Sequence, residues 1–207
     1  MTLPHLQCPR VVFGELLADV SAAPWRDLAA VELCDIATGA APQQGTAVRC
    51  AWDAREWRVL FHCVDTDPWA TLTQRDGPLY QEETVEVFFD PFGDLQSYFE
   101  IEVNPLGTEL DIVFRRSRSG YKGDWAWDCE GLRSRVRVGE GTWTVELAIP
   151  FSSVAEVPMV GQKWRVNFCR IDRPSRDGSL PRELTAWSPP MRESFHSPTR
   201  FGVVEFV

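Results

Sequence analysis

No apolar run in this sequence approaches the roughly 20 residues that a membrane-spanning helix needs. Residues 1–10 also lack the basic start and the apolar stretch of a secretory signal peptide. The first absence argues against a membrane protein, and the second predicts a cytoplasmic location for the chain as written. If a leader has been removed, the prediction becomes an extracellular or periplasmic location.

Positive charge is scarce in this sequence relative to negative charge. The 21 lysine and arginine residues are outnumbered by 30 aspartate and glutamate residues, which gives a formal net charge of -9 at pH 7. This excess disfavours nucleic acid and anionic membranes as partners, because both present phosphate groups. The basic run of Arg115, Arg116 and Arg118 lacks interleaved aromatic residues and is typical of a solvated loop. A neutral or cationic ligand suits the chain better.

The sequence lacks any C-x-x-C pair and any histidine at zinc-site spacing from a cysteine. Its cysteines are widely scattered, and this distribution predicts reduced thiols in core positions. They are Cys8, Cys34, Cys50, Cys63, Cys129 and Cys169.

Helical signals are almost absent, and the sequence predicts one short helical turn at residues 151–155. Strand signals dominate instead, because apolar and polar residues alternate in short runs that turn residues separate. This pattern predicts an all-β protein, a single antiparallel β-sandwich of the jelly-roll type over residues 1–207. The predicted strands cover residues 30–35, 46–52, 57–65, 84–90, 98–104, 108–114, 132–138, 143–149, 163–171 and 201–206.

Three of the turns predict β-hairpins, because each carries turn-forming residues between two alternating runs. They cover residues 53–56, 104–107 and 139–141. Directly paired strands are therefore expected at three places in the sandwich.

Two neighbouring strands each present one apolar and one polar face, since side chains alternate between the two faces of a sheet. The polar faces carry Glu86, Glu100 and Glu102 beside the aromatic residues Phe88 and Tyr98. Carboxylates hold sugar hydroxyls and aromatic rings stack on the apolar face of a pyranose, so this composition predicts a saccharide site. The solvated outer face of an antiparallel sheet is the alternative explanation for the alternation.

Glu146, Arg165 and Asn167 fall on the polar faces of later strands. If these strands share a sheet with Glu86 and Glu100, all of these side chains are expected within reach of one another, because adjacent strands lie about 4.8 Å apart. So many carboxylates would need arginine, a metal ion or ligand hydroxyls as partners.

Five motifs, in order along most of the chain, resemble those of the family 9 carbohydrate-binding modules. They are VRCAWD at 48–53, VEVFFD at 85–90, YFEIEVN at 98–104, WTVELAIP at 143–150, and the pair WSPP at 187–190 and FHSPTRFG at 195–202. The resemblance implies a β-sandwich that binds sugars, typically the reducing ends of glycan chains. It also implies structural calcium ions and no catalytic activity.

The resemblance further implies a set of ligand-binding residues. Tyr80 and Phe195 match the two aromatic residues that sandwich the sugar, and Glu86 matches a ligand-holding glutamate. The chain departs from the family at both stacking positions, where sugar-binding members have tryptophan. It also has Glu102 in place of an arginine and Arg192 in place of an asparagine. These changes imply either that Glu102 and Arg192 exchange charges across one pocket or that sugar binding has been lost.

Two more residues extend the predicted ligand-binding set. Glu100 lies on the same predicted face as Glu86, and Trp69 sits in a loop before the stacking tyrosine, where its ring is a reserve platform for a sugar. Alternation places Trp125 and Trp127 on one side of an extended segment, and core positions are predicted for both.

Calcium is the cofactor that the resemblance implies. Asp65 and Asp67, with Asp76 and Glu83 nearby, offer the hard oxygen ligands that calcium prefers. The spacing of these acids matches no dedicated calcium-binding loop, so the metal prediction depends on the resemblance.

Two other functions stay open at the level of the sequence. A sandwich-fold glycoside hydrolase or lyase would use two of the glutamates Glu86, Glu100, Glu102 and Glu146, since carboxyl groups about 5–5.5 Å apart suit a retaining mechanism. The second open function is that of a diverged domain, which no longer binds sugar and instead binds another partner.

Overall fold

The computed structural model describes residues 2–207 and arranges the chain as two β-sheets packed face to face. The alternating runs form strands because each can bury one apolar face between the sheets. The predicted all-β sandwich is confirmed. The strands are β1 (His5–Cys8), β2 (Val31–Glu32), β3 (Cys34–Asp35), β4 (Thr46–Trp52), β5 (Glu56–Val64), β6 (Thr84–Asp90), β7 (Ser97–Val103), β8 (Glu109–Ser117), β9 (Gly120–Asp124), β10 (Arg133–Gly139), β11 (Thr142–Pro150), β12 (Lys163–Asp172), β13 (Glu183–Ala186) and β14 (Gly202–Phe206).

Helical structure is confined to very short segments. The α-helix α1 covers Phe151–Val154, close to the predicted turn, and 3₁₀ turns lie at Trp25–Asp27, Leu79–Gln81 and Pro198–Arg200. Across residues 2–207, no helix has the length and apolar character that crossing a membrane requires.

The larger sheet follows the order β1, β14, β12, β6, β7, β8 and β9, with β13 paired to β12 and β3 paired to β13. The smaller sheet follows the order β10, β11, β5, β4 and β2. Neighbouring strands run antiparallel, and the pair β1 and β14 runs parallel. All three predicted hairpins are confirmed as the pairs β4 with β5, β7 with β8, and β10 with β11.

The predicted single strand at 30–35 is wrong, because this segment contributes to both sheets. Val31 pairs with Val48 in the smaller sheet, whereas Cys34 pairs with Ala186 in the larger sheet. Leu33 between them is buried, so the chain passes from one sheet to the other at this residue. Alternation does not signal the crossing, since the backbone is extended on both sides of it. The sequence also missed β1, β9 and β13, which are only four or five residues long.

Aromatic residues fill the space between the two sheets. Trp57 of the smaller sheet packs edge to face against Trp164 and Phe89 of the larger sheet, with ring centres 5.7 Å and 5.6 Å apart. Phe61 meets Phe168 in the same way at 6.0 Å. Five of the six cysteines are buried, as the predicted core positions require, and Cys34 is half-buried.

The segment that precedes β2 covers the outer face of the smaller sheet and explains the position of Glu146. Its carboxylate accepts hydrogen bonds from the backbone N–H groups of Leu17 (2.8 Å) and Ala18 (3.0 Å) and pairs with Arg58 (3.0 Å). The prediction that Glu146 would join the acids of β6 and β7 is wrong, because β11 belongs to the other sheet.

Candidate functional site

Loops cover much of the outer face of the larger sheet and leave a cleft of about 330 Å³. Its floor comes from β6, β7, β8, β12 and β13, and its walls come from the loops that precede β6 and β13 and that follow β9 and β13. The lining consists of Tyr80, Glu86, Glu100, Ile112, Phe114, Trp125, Ile171, Arg182, Leu184, Glu193, Ser194, Phe195 and His196.

The polar faces of β6 and β7 are buried under these loops rather than solvated. Phe88 and Tyr98, the aromatic residues on those faces, are fully buried and pack together with Phe201 beneath the cleft. They therefore build the layer that supports the cleft instead of offering rings to a ligand.

Three glutamates converge at the floor of the cleft, and we call Glu86, Glu100 and Glu102 the glutamate triad. Glu86 lies directly opposite Glu102 across β6 and β7, and Glu100 is two residues away from Glu102 on the same face. One carboxylate oxygen from each lies within 4.8 Å of the other two, and no residue of the triad is more than 4% exposed. Glu86 and Glu100 line the cleft, and Glu102 adjoins them.

The triad lacks hydrogen-bond donors for much of its charge. Within residues 2–207, Glu86 Oε1, Glu100 Oε2 and both carboxylate oxygens of Glu102 are buried without a hydrogen bond of normal geometry. Two weaker contacts remain, because the backbone N–H of Tyr80 lowers the pKa of Glu102 and His196 Nδ1 lies 3.9 Å from Glu100 Oε2. Burial raises the pKa of Glu100 to about 7. Burial and then the neighbouring carboxylates raise the pKa of Glu86 and Glu102 well above the usual glutamate value. The triad therefore holds protons at neutral pH unless a positive charge replaces them.

Tyr80 forms one wall of the cleft. It belongs to the 3₁₀ turn Leu79–Gln81, in which Leu79 is fully buried in a cluster with Leu110 and Ile112. With Leu79 anchored inward, Tyr80 turns outward and stays 40% exposed. A ring held at the edge of a cleft by a buried neighbour is ready to stack on a ligand.

Phe195 lines the cleft from the loop after β13. It is only 7% exposed, and its ring packs on Phe88 with centres 6.1 Å apart. The next residue, His196, contacts the ring of Phe114 at 5.0 Å, and its Nδ1 lies 3.0 Å from the hydroxyl of Tyr98. Phe195 thus holds the loop on the layer beneath as well as lining the cleft.

Besides Glu102, two residues of the predicted ligand-binding set do not line the cleft. The indole N–H of Trp69 donates to the backbone carbonyl of Arg173 (2.8 Å). A guanidinium N–H of Arg192 donates to the backbone carbonyl of His196 (2.7 Å). Trp69 and Arg192 are thus engaged with loop backbone in this structure.

The arginine that lines the cleft is Arg182, which the sequence did not single out. Its positive charge opposes the rise in the pKa of Glu86. The predicted exchange of charges between Glu102 and Arg192 therefore has no counterpart in the lining, where Arg182 supplies the positive charge.

Sequence reasoning missed nine of the thirteen lining residues, among them Trp125, Arg182, Glu193 and His196. The predicted core position of Trp125 is wrong, because this residue is 50% exposed at the cleft. Trp127 does pack against the core, with its ring centre 4.9 Å from that of Phe99. Gly123 and Asp124, which end β9 just before Trp125, are residue types common in turns, and they are the signal that indicates a surface position.

Other polar residues named from the sequence have partners elsewhere. Asp67 is exposed and accepts a hydrogen bond from Arg176 (2.8 Å). Asn167 exchanges two hydrogen bonds with the backbone of Ser188. Arg165 lies near the start of β12 and does not line the cleft.

A second group of buried acids lies outside the cleft, and we call Asp65, Glu83 and Asp172 the acidic cluster. One oxygen from each lies within 4.8 Å of the other two. Arg170 donates to Asp65 Oδ2 (2.7 Å) and lies 3.3 Å from Asp172 Oδ1. Burial, reinforced by the charges of Asp65 and Asp172, raises the pKa of Glu83 to about 8. One guanidinium therefore faces three carboxylates.

Comparison with known proteins identifies relatives of this architecture. The sequence model of a family described as carbohydrate family 9 binding domain-like matches residues 18–207. A protein of Arthroderma benhamiae named extracellular protein is 26% identical over 182 residues, which are 80% of this chain and 80% of that protein.

Solved structures share the fold at low sequence identity. A candidate carbohydrate-binding protein from Bacteroides uniformis superposes with a TM-score of 0.82, 20% identity and full coverage of both chains. A family 9 carbohydrate-binding module from Caldicellulosiruptor kristjanssonii in complex with cellotriose has a TM-score of 0.72 and 15% identity, over 98% of this chain and 93% of that one. The same kind of module in complex with glucose has a TM-score of 0.70.

Proposed function

Because the chain belongs to the carbohydrate family 9 binding domain-like family, we propose that its cleft binds the end of a saccharide without catalysing a reaction. The observation that carries this proposal is the meeting of aromatic rings and buried carboxylates in one open cleft. The related modules that hold cellotriose and glucose suggest the probes to use.

The cleft combines the two kinds of group that sugar recognition needs. The exposed rings of Tyr80 and Trp125 offer apolar faces for the C–H face of a pyranose, whereas Glu86 and Glu100 offer acceptors for its hydroxyls. The volume of about 330 Å³ lies at the lower end of the range of about 300–1,000 Å³ for small-molecule sites. One or two sugar rings suit a cleft of this size.

Binding is expected to be weak. Covering about 150 Å² of apolar ring surface contributes about 4 kcal/mol. The loss of translational and rotational freedom costs at least a similar amount. Hydrogen bonds to the carboxylates supply the remainder, so micromolar to millimolar dissociation constants are expected.

The Tyr80→Ala variant tests the proposal. Losing about 55 Å² of stacking area removes about 1.4 kcal/mol, which is a tenfold loss of affinity. Isothermal titration calorimetry with glucose and cellotriose measures this loss. Tyr80 is a better probe than Phe195, because truncating the buried Phe195 would also disturb the layer under the cleft.

The matched control is Phe92→Ala, which removes an exposed ring that does not line the cleft. It should bind with the affinity of the unmodified protein. The absence of heat with any saccharide, at millimolar protein and with calcium present, would sink the proposal. An equal loss in both variants would also count against the cleft as the binding site.

We also propose that the acidic cluster holds a structural calcium ion, as the resemblance implies. Its carboxylates are hard oxygen ligands, and Glu83 Oε1 is buried without a hydrogen-bond donor anywhere in residues 2–207. The cluster therefore fits a cation, with Asp65, Glu83 and Asp172 as its ligands. A bound ion would tie the loop before β6 to the end of β12.

Calcium is expected to raise the melting temperature, since a ligand that binds the folded state alone stabilises it by about 2.7 kcal/mol at 100 times its dissociation constant. Differential scanning calorimetry in calcium chloride and in EDTA measures the shift. Glu83→Gln should abolish the shift, whereas Asp67→Asn should keep it, because Asp67 lies outside the cluster. Equal melting temperatures with calcium and with EDTA would refute the calcium site.

A further inference from the structure

The cleft holds more acidic groups than a neutral sugar requires. In the described part of the chain, its lining has three carboxylates, from Glu86, Glu100 and Glu193, against the guanidinium of Arg182. Glu102 adds a fourth acid at the floor. A sugar hydroxyl can be held by one neutral or charged acceptor, so hydroxyl recognition alone does not account for three acids in contact.

We propose that the preferred ligand of this cleft is an amino sugar, whose protonated amine donates hydrogen bonds to the glutamate triad while its ring stacks on Tyr80. The inference rests on the proposed function, because it names the class of saccharide that the same cleft takes. It also agrees with the net charge of -9, which favours a cationic ligand.

The unpartnered oxygen atoms of the triad match the hydrogen-bonding capacity of an ammonium group. An ammonium has three N–H donors and no acceptor. Four triad oxygens in residues 2–207 are buried without a hydrogen bond of normal geometry, one each on Glu86 and Glu100, which line the cleft, and two on Glu102 beside them. Hydrogen bonds between an ammonium and a carboxylate are about twice as strong as neutral ones. The side chains of the triad are almost fully buried, so these bonds gain further from the low local dielectric.

The raised pKa values of the triad also indicate that a positive charge is missing beside these carboxyl groups. Burial raises the pKa of Glu100 to about 7, and those of Glu86 and Glu102 lie well above the usual value. An ammonium supplies the positive charge that allows these carboxyl groups to ionise. The other charged or titratable side chains that line the cleft are Tyr80, Arg182, Glu193 and His196.

The shape of the cleft favours an organic cation over a metal ion. Ile112, Phe114, Ile171 and Leu184 give it an apolar lining, and its volume of about 330 Å³ is far larger than an ion requires. An amino sugar uses the apolar walls and the acidic floor together.

The experiment is a calorimetric titration with glucosamine hydrochloride, glucose and N-acetylglucosamine at equal ionic strength and pH 7. N-acetylglucosamine keeps the ring and lacks the charge. Glucosamine is expected to bind at least tenfold more tightly than either neutral sugar. In Glu100→Gln and in Glu102→Gln, the ratio of glucosamine to glucose affinity should fall towards one. Glu156→Gln, an exposed glutamate away from the cleft, should keep the ratio.

Each result decides between distinct conclusions. Equal affinity for glucosamine and glucose overturns the amino-sugar inference and leaves sugar binding standing, whereas no binding of any sugar overturns the proposed function itself. Calcium binding in the cleft that disappears in Glu100→Gln would show that the triad is a metal site. This result would also overturn the inference. If both glutamine variants fail to fold, the comparison of the three sugars on the unmodified protein still decides.

Discussion

Replacing Arg170 by methionine is expected to destabilise the protein by about 3–5 kcal/mol, because it leaves buried carboxylates without their partner. The Arg170 side chain is almost fully buried and ion-paired with Asp65 and Asp172. It also donates to the backbone carbonyl of Val64 (2.9 Å) and to Thr46 Oγ1 (3.2 Å). Methionine fills similar space and restores none of these bonds.

Chemical denaturation with urea measures the loss, and a melting temperature lower by on the order of 10 °C is expected for a chain of this length. The matched control is Arg176→Met, which removes an exposed arginine paired with Asp67. Exposed ion pairs contribute about 0–1 kcal/mol, so this variant should melt close to the unmodified protein. A similar loss of stability in both variants would show that burial does not determine how much the ion pairs of Arg170 stabilise the fold.

The faces of the individual strands could be predicted from the sequence. Because side chains alternate strictly, Glu86, Glu100 and Glu102 had to share a face once β6 and β7 paired, and the structure shows this pairing. The same rule applied to Glu146 predicted its face correctly but not its sheet. Alternation is a local property, whereas the assignment of a strand to one sheet depends on contacts between segments far apart in the chain.

The walls of the cleft were harder to predict for a physical reason. Trp125 and Arg182 lie in loops, where no periodic pattern in the sequence indicates which way a side chain points. Tyr80 came from the resemblance to a family and not from a pattern, since its outward direction depends on the buried anchor Leu79 beside it. The burial of the triad likewise depends on loops that fold over the sheet, so the sequence suggested a solvated or ligand-bound face.

Replacing Trp57 by alanine is expected to destabilise the protein by about 3–5 kcal/mol, the range for removing a large aromatic residue from a core. Trp57 is fully buried and contacts Phe89, Trp164 and Phe168 with ring centres 5.6–6.2 Å away. These neighbours come from the opposite sheet, so the variant opens a cavity in the layer that joins the two sheets. The free energy of unfolding from urea titration measures the effect.

Trp125→Ala is the matched control, because it removes the same side chain from the cleft wall, where half of it is exposed. Its stability should change by less than about 1 kcal/mol, since surface substitutions rarely cost more. Its affinity for saccharides should fall, because the ring faces the cleft. The two tryptophans therefore separate stability from binding: Trp57→Ala unfolds at lower urea, and Trp125→Ala stays folded and binds sugar less tightly. A large loss of stability in Trp125→Ala would contradict its exposed position and restore the core role that alternation predicts for it.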